Sequence, residues 1–146
     1  MIRITTIFVL LLSIFVSACA QQGKTEEKTE TTEIQNAAEV INKDITVAEF
    51  QELYDPAKHV LLDVRTPEEW EEGHLPNAVH LNFYEDNFAE ELDKLEKDKA
   101  YVVYCKAGGR SGKTLAMLNE KGFTEAYNIL GGYTELEAQG VETVTD

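Results

Sequence analysis

Basic residues are scarce. The 146-residue chain carries 13 Lys and Arg against 27 Asp and Glu, a formal net charge of −14. A body this acidic is a poor partner for nucleic acid or for an anionic membrane surface. Cysteine is scarcer still, with 2 in the chain, Cys19 and Cys105, so no disulfide framework holds the fold. There is one long apolar run, Ile4 to Val16, which is shorter than the about 20 residues a transmembrane helix needs. The three histidines, His59, His74 and His80, show no metal-ligand spacing, and no metal or organic cofactor is expected. No internal repeat is visible, and the length suits one domain. Acid is also absent locally: residues 99 to 119 contain none, yet hold Lys99, Lys106, Arg110 and Lys113. That run surrounds Cys105, so a local positive patch, and with it an anionic ligand, is expected there.

The N-terminus has the layout of a signal peptide: Arg3, the apolar run, then "VSAC" with small residues before Cys19. "VSAC" resembles the lipobox of bacterial lipoproteins, which implies removal of residues 1–18 and lipidation of Cys19. Acyl chains bury about 0.8 kcal/mol per CH₂, and two or more make a stable anchor. The expectation is an exported protein, lipid-anchored to a bacterial membrane and facing the periplasm or the cell surface. Residues 19–43 follow as a Thr/Glu/Lys/Gln-rich tether, too polar to order itself, and residues 44–146 form the domain. With Cys19 lipidated, Cys105 is a lone thiol in an oxidising compartment, the kind worth inspecting for reactivity. A buried apolar cysteine is the bland alternative.

Within the domain, "TVAE" (Thr46–Glu49) and "TPEE" (Thr66–Glu69) are capping boxes, the second with Pro67 at the first helical position. The first opens a helix to about Tyr54 and the second one that stops near Gly73. Strands are predicted at His59–Val64, Ala78–Asn82, Ala100–Cys105 and over "EAYNIL", and helices at Asn87–Leu95 and Ser111–Gly122. A turn and short helix are predicted over "GGYTELEAQG". Alternating strands and helices predict parallel βαβ units, an α/β sheet with helices on both faces. Ligands in such sheets bind beyond the carboxyl ends of the strands, where Cys105 and Asp63 fall.

The stretch "VVYCKAGGRSGKT", Val102–Thr114, admits two readings. Ala107-x4-Gly112-Lys113-Thr114 nearly fits a nucleotide-binding P-loop, but Ala107 replaces its first Gly and no later strand ends in Asp for Mg²⁺. The other reading places Cys105 at the rim of a Gly-rich turn before a helix. Backbone N–H groups, the helix N-terminus, Lys106 and Arg110 would lower its pKa and make it a nucleophile.

Three segments in order then resemble the signatures of the rhodanese-like domain, a sulfurtransferase family: "LLDVRTPEEWEEGHLPNAVHLN", "CKAGGRS" and "NILGGYTELEAQG". The resemblance spans roughly residues 44 to 142. It implies a three-layer α/β fold with a five-stranded, mainly parallel sheet flanked by helices. By the same resemblance Cys105 is the nucleophile, and Lys106, Ala107, Gly108, Gly109, Arg110 and Ser111 are the loop around its sulfur. Asp63 and Arg65 support it: Asp63 structurally, because a carboxylate beside a thiolate would raise its pKa, and Arg65 through either substrate or an ion pair. Arg110 holds either the loop's shape or an anionic donor. Glu68, Glu69 and Trp70 are assigned to helix-start charge and packing, and Gly131 and Gly132 to a tight turn.

Many thiosulfate-using members carry a second cation inside the loop, where this chain has Ala107 and Gly108, so the donor stays open. Related phosphatases use Cys-x5-Arg, and Cys105 to Arg110 is one residue shorter, a ring suited to one sulfur atom. The expected function is transfer of sulfane sulfur from thiosulfate or polysulfide to a thiol or cyanide through a Cys105 persulfide, by a monomer. A non-turnover carrier or binding module of the same fold, or a phosphatase or arsenate reductase, is the alternative.

Overall fold

The computed structural model describes residues 40–145. The expected signal peptide, Cys19 and the tether up to residue 39 lie outside the described residues. Ten elements follow in order: β1 (Ile41–Ile45), α1 (Val47–Leu53), β2 (His59–Asp63), α2 (Pro67–Glu71), β3 (Val79–His80), α3 (Phe88–Asp93), β4 (Ala100–Tyr104), α4 (Gly109–Glu120), β5 (Glu125–Ile129) and α5 (Gly132–Ala138). The five strands form one sheet in the order β1-β5-β4-β2-β3, and every ladder is parallel. This is the expected three-layer α/β architecture.

Both capping boxes form. The Thr46 amide donates to Glu49 Oε2 at 2.8 Å while the Glu49 amide donates to Thr46 Oγ1 at 3.2 Å. Thr66 and Glu69 repeat the pattern at 3.0 and 3.4 Å, with Pro67 following the cap. Each box satisfies two of the N–H groups that a helix start leaves open.

Side chains alternate across the central strand, as a period of two requires. Along β4, Val102 and Tyr104 enter one buried cluster with Val47 and Phe50 of α1 and Tyr133 and Leu136 of α5. Tyr101, Val103 and then Cys105 enter the other, with Phe88 and Leu92 of α3 and Leu118 of α4. A strand buried on both faces reads as an unbroken apolar run, which is why "AYVVYC" was legible.

Three elements differ from expectation in ways that matter. β1 was not expected. It takes in Ile41, Asn42 and Lys43, the last three residues assigned to the tether, and pairs with β5 from Ile41↔Glu125 to Ile45↔Ile129. Its polar centre, Asn42-Lys43-Asp44, is poor strand sequence, tolerated because β1 is an edge of the sheet. α4 starts at Gly109, two residues before the expected Ser111, because Gly108 turns the chain with φ 90°. The active-loop candidates Gly109, Arg110 and Ser111 are therefore the first turn of the helix. β3 is shorter than expected. The Asn82 side chain accepts the Tyr84 amide at 3.1 Å and turns the chain away.

A chain beginning at Asp44 is expected to be less stable than one beginning at Asn36 by about 2–4 kcal/mol, since each lost ladder bond is worth about 1 kcal/mol net. Urea melts of the two would measure it; equal midpoints would mean that β1 contributes nothing.

Candidate active site

The carboxyl ends of β2, β4 and β5 meet at one rim of the sheet, and Cys105 stands there, 1% exposed. Its Sγ accepts the Gly108 amide at 3.1 Å and the Ser111 hydroxyl at 3.4 Å. Burial alone would push the thiol's pKa up. The Ser111 hydroxyl and the backbone N–H groups of Ser111, Ala107 and Arg110 more than offset it, and the pKa falls below that of an ordinary thiol. Sulfur is thus held by a ring of amides drawn from the loop and the first turn of α4.

The loop faces inward because its carbonyls are held outward. The Tyr133 amide donates to Cys105 O at 2.7 Å and the Thr134 amide to Lys106 O at 3.0 Å. The Thr134 hydroxyl donates to Lys106 O as well, at 3.0 Å. In a trans peptide the C=O and N–H point opposite ways, so anchoring Lys106 O on α5 turns the Ala107 N–H away from α5, toward sulfur. The anchoring demands close approach. A Cβ on Gly132 would fall on Cys105 O and within 2.9 Å of the Ala107 and Gly108 nitrogens, and Gly132 also has φ 57°. Gly131–Gly132 therefore does more than the expected tight turn: it lets a helix start touch the loop.

Arg110 is a strut. Its guanidinium makes a two-pronged pair with Glu69, Nη1 to Oε2 at 2.7 Å and Nη2 to Oε1 at 2.8 Å. The arginine draws the Glu69 carboxyl's pKa below the usual carboxylate range. Glu69 is also the capping-box acid of α2, so one carboxylate fixes the start of α2 and the first turn of α4. Tyr84, 67% exposed, lies over Arg110 with its ring 5.5 Å from the guanidinium. Neither Glu69 nor Tyr84 was singled out as a site residue. Glu69 pairs across 41 residues of sequence, and its capping spacing already accounted for its presence.

Asp63 and Arg65 form a buried ion pair, both side chains fully enclosed. Arg65 Nη2 donates to Asp63 Oδ2 and to Gly73 O, both at 2.7 Å, Nε donates to Asp63 Oδ2 at 2.8 Å, and Nη1 donates to Glu69 O at 2.8 Å. The guanidinium lies 4.0 Å from the Tyr133 ring centre. The ion pair, one of the two roles open to Arg65, is formed. Alternation puts Asp63 on the face opposite Cys105, so the carboxylate does not oppose the thiolate.

The expected positive patch assembles only in part: Arg110 stays within Coulombic reach of Cys105, and the other cations are paired or distant. Lys99 precedes β4, at the far end from Cys105, and pairs with Glu96 at 2.7 Å. Lys106 sits 3.7 Å from Glu72, and Arg110 is committed to Glu69. Backbone dipoles, rather than free side-chain cations, make the site receptive to negative charge. Among the described residues no group of three His, Cys, Asp or Glu could hold a metal ion.

Ser111→Ala is expected to move the pH midpoint of Cys105 alkylation by iodoacetamide upward, toward the about 8.5 of a free thiol. An unchanged midpoint would remove the hydroxyl from the account. Gly132→Ala is expected to cost at least about 2 kcal/mol of stability through its left-handed φ and the collision with the loop. Thermal unfolding checks the cost, and the same alkylation profile reports the displaced loop.

The family model described as Rhodanese-like domain matches residues 46–139. The chain is 36% identical over 98 residues to a putative sulfurtransferase, YtwF, of Bacillus subtilis, covering 66% of this chain and 92% of that protein. It is 35% identical over 96 residues to the thiosulfate sulfurtransferase GlpE of Coxiella burnetii, covering 66% and 88%. Among solved structures, a rhodanese-related protein from Thermoplasma volcanium superposes with TM-score 0.63 at 27% identity, over 71% of this chain and 99% of that one. A protein from Staphylococcus saprophyticus does so with TM-score 0.59 at 32% identity, over 68% and 98%. With its cysteine ringed by amides at the end of the central strand, the chain belongs to the rhodanese-like family of sulfurtransferases.

Proposed function

We propose that the protein moves sulfane sulfur from thiosulfate or a polysulfide to a thiol or cyanide through a persulfide on Cys105. The observation that carries this reading is the ring of donors on Cys105 Sγ, with the Gly108 amide at 3.1 Å and the Ser111 hydroxyl at 3.4 Å. In the first half-reaction the Cys105 thiolate attacks the outer sulfur of thiosulfate. The new S–S bond forms as the old one breaks, and sulfite leaves with the bonding pair. In the second, an acceptor thiolate takes the outer sulfur and returns Cys105 to the thiolate. The negative charge moves out by one atom between the two states, and the inward N–H groups can follow it without reorganising. A covalent intermediate predicts ping-pong kinetics.

The small ring favours a terminal sulfur over a phosphoryl group. Because Glu69 occupies both prongs of Arg110, a sulfonate end gains little from that arginine, which favours polysulfide or persulfide donors over thiosulfate. In the same reading the protein is exported, anchored through acyl chains on Cys19 and active as a monomer. A non-turnover sulfur carrier would share the first half-reaction and lack the second.

Intact mass of the protein after thiosulfate or polysulfide, then after cyanide, tests the proposal. One sulfur atom is expected to appear and then clear, in wild type and not in Cys105→Ser. Absence of an adduct with every sulfane donor would sink the persulfide; an adduct that no acceptor clears would leave a carrier.

A further inference from the structure

The segment after β3 puts an exposed but firmly held aromatic ring at the rim of the site. The strands run parallel, so residues 81–84 leave the sheet at the same rim as Cys105. Phe83 packs against the buried cluster that contains Cys105 and meets the Phe88 ring, with centroids 5.1 Å apart. Tyr84, the next residue, is 67% exposed. A turn fixes its backbone. The Asn82 side chain accepts the Tyr84 amide at 3.1 Å and donates to Glu85 Oε1 at 3.0 Å, while Asn82 O accepts the Glu85 amide at 3.1 Å. The Phe83 ring stands at nearly a right angle to the Tyr84 ring, centroids 5.6 Å apart, and the Arg110 guanidinium lies 5.5 Å from the Tyr84 ring centre. Arg110 connects this ring to the sulfur. Its backbone N–H is one of the donors on Cys105 Sγ, and Glu69 holds its guanidinium.

Single exposed apolar residues are common on protein surfaces. Tyr84 differs in being held by a turn, by Phe83 and by a residue of the sulfur-binding loop. A ring ordered before binding offers contact area at little entropic cost, and a pair of aromatic rings gains more than its buried area alone. Inorganic sulfur species have no carbon body that could use such a surface. We propose that Tyr84 is a specificity residue whose exposed ring bears the carbon body of an organic persulfide or thiol, best a flat aromatic one, while its sulfur reaches Cys105. The inference rests on the persulfide reading and names the substrate class within it, organic sulfur in preference to thiosulfate and cyanide. The bond changes are those already given: the acceptor R–S⁻ takes the outer sulfur of the persulfide, R–S–S⁻ leaves, and Cys105 returns as the thiolate.

The test compares alkylation of Cys105 in the full chain by iodoacetamide and by its N-benzyl, N-phenethyl and N-phenylpropyl forms. Mass spectrometry of the Cys105 peptide keeps Cys19 out of the readout, and each rate is divided by that with free cysteine. The reacting carbon is the same throughout, so the ratio of aromatic to parent rate cancels any change in the thiolate itself. The best aromatic reagent is expected to exceed the parent about fivefold or more, and Tyr84→Ala to lower that ratio by about threefold to tenfold. Tyr84→Phe is expected to keep it. Tyr84→Gln, which keeps a side chain over Arg110 should the smaller residue loosen the loop, is expected to lower it as Ala does. In sulfur transfer from polysulfide, kcat/KM for benzyl thiol relative to cyanide is expected to fall by a similar factor in Tyr84→Ala, through KM. No aromatic gain at any length, or a ratio that Tyr84→Ala leaves unchanged, as when the ring only steadies Arg110, would overturn the proposal. A wild type that takes up sulfur from no donor would sink the persulfide reading separately, because the alkylation ratio uses no sulfur donor and still decides whether Tyr84 bears an organic body.

Discussion

The site rests on the direction of two carbonyl groups. Cys105 O and Lys106 O are held by the first amides of α5, and from that follows the inward turn of the loop. The dependence runs back through the fold. α5 reaches the loop because β5 lies beside β4 in the sheet and ends at the same rim. It can come close enough because Gly131 and Gly132 both adopt positive φ, and Gly132 has no side chain to strike Cys105 O. A helix start normally leaves its N–H groups to solvent or to a capping side chain. Here neither Gly131 nor any side chain caps α5, and the active loop takes two of its free donors. One helix start thereby orients the loop while the other, α4, joins it to surround sulfur.

That arrangement explains how an acidic protein can stabilise an anion without a free cation at the sulfur. Side-chain charge near Cys105 is largely internally neutralised: Arg110 by Glu69, Lys106 in part by Glu72, Arg65 by Asp63. The ion pairs act as struts. Glu69–Arg110 ties α2 to α4 on one side of the loop, and Asp63–Arg65 ties β2 to α2 and to the turn at Gly73 on the other face of the sheet. Breaking a buried pair by removing one partner strands a charge and typically costs about 3–5 kcal/mol, so these residues hold geometry whether or not they meet substrate. An anion at Cys105 would be served by dipoles already fixed, so nothing would have to turn to meet it.

What was legible in the sequence was local or periodic. The capping boxes at Thr46 and Thr66 declare themselves within four residues, and the apolar run of β4 reflects burial on both faces. The loop residues Cys105 to Ser111 are contiguous, so their convergence needed only the strand-turn-helix pattern. What stayed hidden was tertiary. The partner of Arg110 is 41 residues away. The need for glycine at 132 comes from a loop 27 residues earlier in the chain. β1 hid because Asn42, Lys43 and Asp44 obey no strand pattern, and only their pairing with β5, more than 80 residues later, makes them a strand. The acid-free run from 99 to 119 misled in part: Arg110 stays within Coulombic reach of Cys105, but the strand and the helix carry Lys99 and Lys113 away from it.

Lys113 shows how helix geometry separates residues that a motif joins. In a phosphate loop, the Gly-Lys-Thr segment and the turn before it embrace one anion. Here Ser111 must face Cys105 Sγ, as its hydroxyl contact requires. Two residues on, at 3.6 residues per turn, α4 has rotated about 200°, so Lys113 points away from sulfur. It lines a groove with Asn42, Asp44 and Asn128, where the Asp44 carboxylate would repel a phosphate. The amide ring at the N-terminus of α4 is shared by both kinds of loop, but the early helix start at Gly109 phases Ser111 to the sulfur and Lys113 to the groove. That phase decides against a nucleotide more firmly than the replacement of one glycine by Ala107.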